Sequence, residues 1–151
     1  MNNNLIKLHA KSFYWASFFL SKKIFLKSSS LYNFCRTLDD IVDGPEDLDL
    51  KKQKFLQFKN DFINKNFNNK IIQEMWDIMK SEYISKIIVL DLFDGVETDL
   101  KEKVILNNKK DLMMYSYRVA GTVGLMMSKI LKVEGKNALR GAINLGIAMQ
   151  F

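Results

Sequence analysis

The chain is poor in residues that staple or interrupt a fold: its 151 residues include one cysteine, one proline and seven glycines. A lone Cys35 excludes a disulfide framework and a four-ligand zinc site built from thiolates. Nothing near it in sequence argues for a reactive thiolate, so it is expected as a small buried hydrophobe. Long apolar runs are missing too. The stretch after Lys11 stops at Lys22 and the one after Arg118 stops at Lys129, short of the roughly 18 uncharged residues of a membrane span. The opening MNNNLIKLHAK lacks the apolar core and cleavage site of a signal peptide. What is present is 48% hydrophobic residues, too many for a disordered chain. A chain of this length fits one domain, 1–151, and buries roughly 68–70% of its unfolded surface without staples. A cytoplasmic globular protein is expected.

Arginine is equally scarce. The net charge is +6, but 20 of the 23 basic residues are Lys, a skew that resembles a coding bias. The lysines fall in ones and twos (Lys22–Lys23, Lys51–Lys52, Lys109–Lys110) and form no stripe, which favours solvated helix faces over a nucleic-acid surface. Where the chain uses an arginine, a lysine is less able to replace it.

With so few breakers and with apolar residues at three- and four-residue spacing, the chain reads as all-α. Helices are expected at about 11–27, 31–43, 48–64, 69–99, 109–132 and 135–151, packed as one bundle. Gly44-Pro45 is the clearest stop signal, and clusters of Asn and Lys at 64–70 and 107–110 read as loops.

The segment LYNFCRTLDDIVDGP carries the first chemical signal. Asp39 and Asp43 lie one helical turn apart, with Asp40 three residues from Asp43. Acids at a helix C-terminus oppose the macrodipole, each at a cost of a few tenths to about 1 kcal/mol. A divalent cation would remove that conflict, and hard oxygen ligands suit Mg²⁺ together with substrate phosphates. Pairing with nearby lysines is the competing explanation. Arg36 lies three residues before Asp39, where it can hydrogen-bond diphosphate oxygens or form a helical salt bridge worth only about 0.2–0.5 kcal/mol.

YNFCRTLDDIVDG resembles the first aspartate-rich motif of the squalene/phytoene synthase family, the head-to-head isoprenyl diphosphate synthases. Further segments match in the family's order: HAKSFYWASFFL at 9–20, LDLFDGVETDL at 90–100, with Val96 where the family usually has Met, and YSYRVAGTVGLMMSKIL at 115–131. The resemblance implies a helical bundle of the isoprenoid synthase type and a transferase that joins two identical prenyl diphosphates through a cyclopropyl intermediate. Geranylgeranyl diphosphate would give phytoene, a step of carotenoid biosynthesis; farnesyl diphosphate would give squalene or dehydrosqualene.

It also implies roles. Asp39 and Asp43 would coordinate Mg²⁺, or Mn²⁺, on the substrate diphosphate, with Asp40 in support. Ser12, Arg36, His9 and Lys11 would contact diphosphate oxygens, and a solvated His9 is an equal alternative. Tyr115 would lie near the developing carbocation. Phe13, Tyr32, Val119, Val123, Gly124 and Gln150 would line the hydrocarbon tunnel, whereas Trp15, Phe18 and Phe19 read as core packing. Gly121 and Gly124 could equally serve close helix approach. The phytoene route needs no nicotinamide cofactor, and no dinucleotide-binding fingerprint is present. Greasy substrates imply a peripheral position at the membrane surface, aided by scattered lysines; oligomeric state is left open, and nucleic acid is not an expected partner.

The family's second aspartate-rich motif would begin just after Gln150, where this chain ends. The acids at 91–99 are not expected to replace it, because they precede Tyr115 and match another segment. The sequence is therefore expected to be the N-terminal part of a larger helical domain, with impaired catalysis and poor solubility by itself. A non-catalytic helical binding protein of the same fold is the alternative of another class.

Overall fold

The computed structural model describes residues 19–101 and 108–148, and among them all regular structure is helical. In chain order these are α1 (Lys22–Asp43), α2 (Leu48–Ile63), α3 (Lys70–Ser81), α4 (Lys86–Asp99), α5 (Lys109–Ser116), a π-helical turn (Tyr117–Gly121), α6 (Thr122–Ile130) and α7 (Lys136–Ala148). Side-chain caps begin the first five helices: Ser21, Asp47, Asn69, Ser85 and Asn108 each accept from backbone N–H groups of the first turn. The core is aromatic. Phe34 of α1 meets Phe93 of α4 edge to face at 5.8 Å, and Phe62 of α2 stacks on Trp76 of α3 at 5.2 Å, geometries worth about 0.5–1.5 kcal/mol beyond burial. Helix α1 is central, packing against α2, α3, α4 and α6, while α7 lies on the π turn and α6.

The expected segmentation needs three corrections, and one expected core residue a fourth. No loop separates 27 from 31: α1 continues through Ser28–Ser30, because Ser29 bonds back to the Phe25 carbonyl, Ser30 donates to Glu74 and Ser28 is buried. The expected helix 69–99 is broken at 82–85, where Tyr83 takes φ 53° and Ser85 starts a new helix. Buried Glu82 anchors this turn between Lys27 and Lys132. Lys109 and Lys110 belong to α5, which Asn108 caps. Phe19, expected in the core, is 93% exposed, since it lies in the turn ahead of Ser21 and off the packed face of α1. Gly44 ends α1 as expected but in extended conformation (φ −56°, ψ 165°), the state that a following proline imposes.

Candidate active site

The sequence around 32–39 places Tyr32, Cys35, Arg36 and Asp39 on one face of α1. That face looks onto a cavity of about 780 Å³, whose other walls come from α4, α5, the π turn, α6 and α7. Such a volume suits a small-molecule ligand. Val119, Val123 and Met127 supply apolar wall, and Leu145 of α7 adds more while remaining 64% exposed. The charged lining groups are Arg36, Asp39 and Asp99, with Tyr115 beside them and the hydroxyls of Tyr32 and Ser128 also in the wall.

Two close helix contacts build this chamber. A Cβ on Gly95 would lie 2.7 Å from Arg118 Cβ and 3.0 Å from the Arg118 carbonyl carbon, so α4 rests directly on the π turn. Between α6 and α7, a Cβ on Gly124 would meet the Ala142 carbonyl oxygen at 2.4 Å, and between α7 and the π turn one on Gly146 would meet the Ala120 oxygen at 2.4 Å. Gly124 thus serves close approach and lines the cavity as well. The π turn occupies the YRVAG stretch after Tyr115; such turns concentrate at functional sites.

The polar groups are electrostatically strained. Asp39 still reaches solvent, yet loss of hydration and then Asp43 push its pKa up, with Asp40 and Asp99 adding to the effect and only Arg36 opposing. Asp99 is pushed up by burial and Asp43, against the hydrogen bond that Tyr115 donates to it. That bond runs from Tyr115 Oη to Asp99 Oδ1 at 2.8 Å. Burial, then Asp99, raises the Tyr115 phenol to about 12, so it stays protonated. Burial and Asp39 raise Cys35 to about 12, in keeping with an unreactive thiol in the wall.

The remaining expected site residues divide as follows. Tyr32, Val119, Val123 and Gly124 line the cavity, as do Arg36, Asp39 and Tyr115. Asp40 is exposed and pairs with Arg36 at 2.8 Å; the helical salt bridge forms here, at i,i+4, rather than with Asp39. Asp43 stands beside Asp39 and Asp99, close enough to act on both. His9, Lys11, Ser12, Phe13 and Gln150 lie outside the described residues, as do Trp15 and Phe18. Asp99 is the functional candidate that sequence reasoning missed. Its signal was spacing, since Leu92, Val96 and Asp99 share one face of α4, whereas Asp94 and Glu97 turn toward Lys59 of α2.

Among the described residues, no three carboxylate, cysteine or histidine side chains form a metal cage by themselves. The donor set nevertheless fits a hard cation held partly by substrate: Asp39 and Asp43 offer carboxylate oxygens one turn apart, crowded by Asp99 and short of positive charge.

The squalene/phytoene synthase family model matches residues 6–151. The chain is 30% identical over 175 residues to the bifunctional lycopene cyclase/phytoene synthase of Pyrenophora tritici-repentis, an alignment covering 98% of this chain and 30% of that protein. It is 30% identical over 153 residues to the chloroplastic phytoene synthase 2 of Solanum lycopersicum (94% and 48% covered). The 15-cis-phytoene synthase of Pantoea ananas is 26% identical over 170 residues (99% and 55% covered). The chain therefore spans between 30% and 55% of the length of these relatives. With its all-helical fold, and with the LDD-x-x-D and Y-x-Y-x-VAGTVG segments facing one cavity, the chain belongs to the squalene/phytoene synthase family.

Proposed function

We propose that the protein is a prenyltransferase of isoprenoid biosynthesis that joins two geranylgeranyl diphosphates head to head into phytoene, a carotenoid precursor. The observation that carries this reading is the cavity itself, in which a carboxylate and arginine rim meets an apolar chamber. A prenyl diphosphate has that same division between an anionic head and a hydrocarbon tail. Asp39 and Asp43 would hold Mg²⁺ or Mn²⁺, with Asp40 beside them; the ion, when bound, neutralises charge on the leaving diphosphate. Arg36 donates to diphosphate oxygens on release from its exposed pair with Asp40, a pair worth no more than about 1 kcal/mol. Ser12, His9 and Lys11 would complete the anion contacts, and Phe13 and Gln150 the tunnel.

The reaction begins as the allylic C–O bond breaks and its electron pair leaves with the diphosphate. The double bond of the second substrate attacks the allylic cation, and loss of a proton closes the cyclopropane. A second ionisation and rearrangement follow, and loss of a further proton gives phytoene. Val119, Val123 and Met127 keep water from the cation. The Tyr115 ring and oxygen face the charge, an aromatic contact worth about 0.5–2 kcal/mol. Phytoene formation consumes no nicotinamide cofactor.

Two features support a peripheral position at an anionic membrane surface: the net charge of +6 and the greasy product. Among the described residues no helix is long and apolar enough to cross a membrane. The test of function is mass spectrometry of hydrocarbons formed from geranylgeranyl and from farnesyl diphosphate with Mg²⁺. Phytoene from the former, formed slowly by these residues alone, is the expected result. A squalene-type hydrocarbon from the latter alone would reassign the substrate, and no product together with no Mg²⁺-dependent binding of an unreactive analogue would favour a non-catalytic helical protein.

A further inference from the structure

We propose that Asp99 is a positioning residue for Tyr115: its carboxylate takes the phenolic hydrogen and so turns the oxygen lone pairs toward the reacting prenyl chain. The inference rests on the prenyltransferase reading and adds to it a residue in a segment that the aspartate-rich motif does not include. Three observations carry it. The bond is direct at 2.8 Å and joins the end of α4 to α5, sixteen residues further along the chain. Both partners line the same cavity. The acids of this segment also have separate uses, because Asp94 and Glu97 pair with Lys59 on another face, whereas Asp99 meets no lysine or arginine among the described residues.

A phenol at this rim has competing acceptors. Its hydrogen could go to Asp39, to Asp43 or to a diphosphate oxygen, and in each case the group would orient differently. Committed to Asp99, the hydroxyl becomes an acceptor toward the cavity, with the negative end of its dipole where cationic charge develops. Because it joins two different helices, this bond is a tertiary constraint on the cavity wall rather than a local helix contact.

The test compares wild type with Asp99→Leu, Asp99→Asn, Tyr115→Phe and the Asp99→Leu/Tyr115→Phe double variant, each first checked for a cooperative thermal transition. One readout needs no activity: near-ultraviolet titration of the phenols, with the Tyr115 contribution isolated by subtracting Tyr115→Phe. In Asp99→Leu that phenol should titrate lower, toward its ordinary value of 10.0. The second readout is turnover of prenyl diphosphate. Asp99→Leu should lower kcat about tenfold to a hundredfold, as for loss of a hydrogen bond to a charged group, and change KM less than about threefold. Asp99→Asn, whose amide oxygen still accepts, should recover kcat to within about threefold. In the Tyr115→Phe background Asp99→Leu should cost nothing further. An unchanged phenol titration in Asp99→Leu would overturn the proposal, as would additive losses in the double variant. So would a raised Mg²⁺ requirement in both Asp99 variants, which would make Asp99 a metal ligand. A wild type that forms no hydrocarbon and shows no Mg²⁺-dependent binding of an unreactive prenyl diphosphate analogue defeats the reading of function, whereas the phenol titration still decides whether Asp99 holds Tyr115.

Discussion

Asp39 and Glu82 are carboxylates in opposite settings, the first exposed among like charges and the second buried between lysines. Asp39 is surrounded by like charge, and its pKa is raised by lost hydration first and Asp43 second. A carboxyl whose folded pKa exceeds its unfolded value contributes most to stability in acid, and that contribution is lost as pH rises through the folded pKa. At neutral pH, in the presence of a chelator, Asp39→Asn should therefore melt at a higher temperature than wild type, and the gain should vanish below the ordinary carboxyl value of 3.8. Calorimetric scans across pH check this. Glu82 is buried, yet Lys132 and Lys27 outweigh that burial and hold its pKa below the ordinary 4.5. Its contribution is present above that value and is lost as pH falls through the lowered one. Glu82→Gln should cost about 1–3 kcal/mol at neutral pH, read as a lower urea midpoint, with the difference shrinking in acid. The conflict of Asp39 with its helix end was legible in the sequence because the acids are neighbours on one helix. The Glu82 knot was not, since Lys27, Glu82 and Lys132 are distant in the chain and only the fold brings them together.

Helix packing around the cavity depends on missing side chains. Gly95 seats α4 on the π turn, Gly124 lets α6 approach the backbone of α7, and Gly146 lets α7 approach that of the π turn. Gly95→Val should push these elements apart, lowering the melting temperature and weakening ligand binding together. Gly141 lies in α7 with nothing within 4 Å of a built Cβ, so Gly141→Ala should instead stabilise by about 0.5–1 kcal/mol through helix propensity. Thermal melts of the two variants separate the roles. Periodicity and the Gly-Pro stop were enough to read the α2 span and the end of α1. The continuation through Ser28–Ser30 and the break at 82–85 were harder, because Ser30 and Glu82 act through tertiary partners that propensity does not register. The π turn was illegible for a related reason: YRVAG carries no breaker, and its extra residue per turn is accommodated by packing against α4 and α7.

Across the whole molecule, one face of α1 and the walls from α4 to α7 turn a divided motif into a single chamber. The aspartates, Arg36 and Tyr115 were readable as a set because the family resemblance orders them along the chain. Asp99 escaped that reading because only the fold brings Tyr115 to it. Charge acts on the same scale. The net charge of +6 should bring the protein to anionic vesicles in a flotation assay, more weakly as salt rises; no enrichment over neutral vesicles would remove the membrane expectation. The central claim is that this chamber holds a prenyl diphosphate through cation-bridged Asp39 and Asp43. Titration calorimetry with an unreactive geranylgeranyl diphosphate analogue tests it most directly. The account predicts binding with Mg²⁺, its loss with chelator, and at least about a tenfold weakening in Asp39→Asn, equivalent to about 1.4 kcal/mol. Equal affinity with and without Mg²⁺, unchanged in Asp39→Asn, would contradict it.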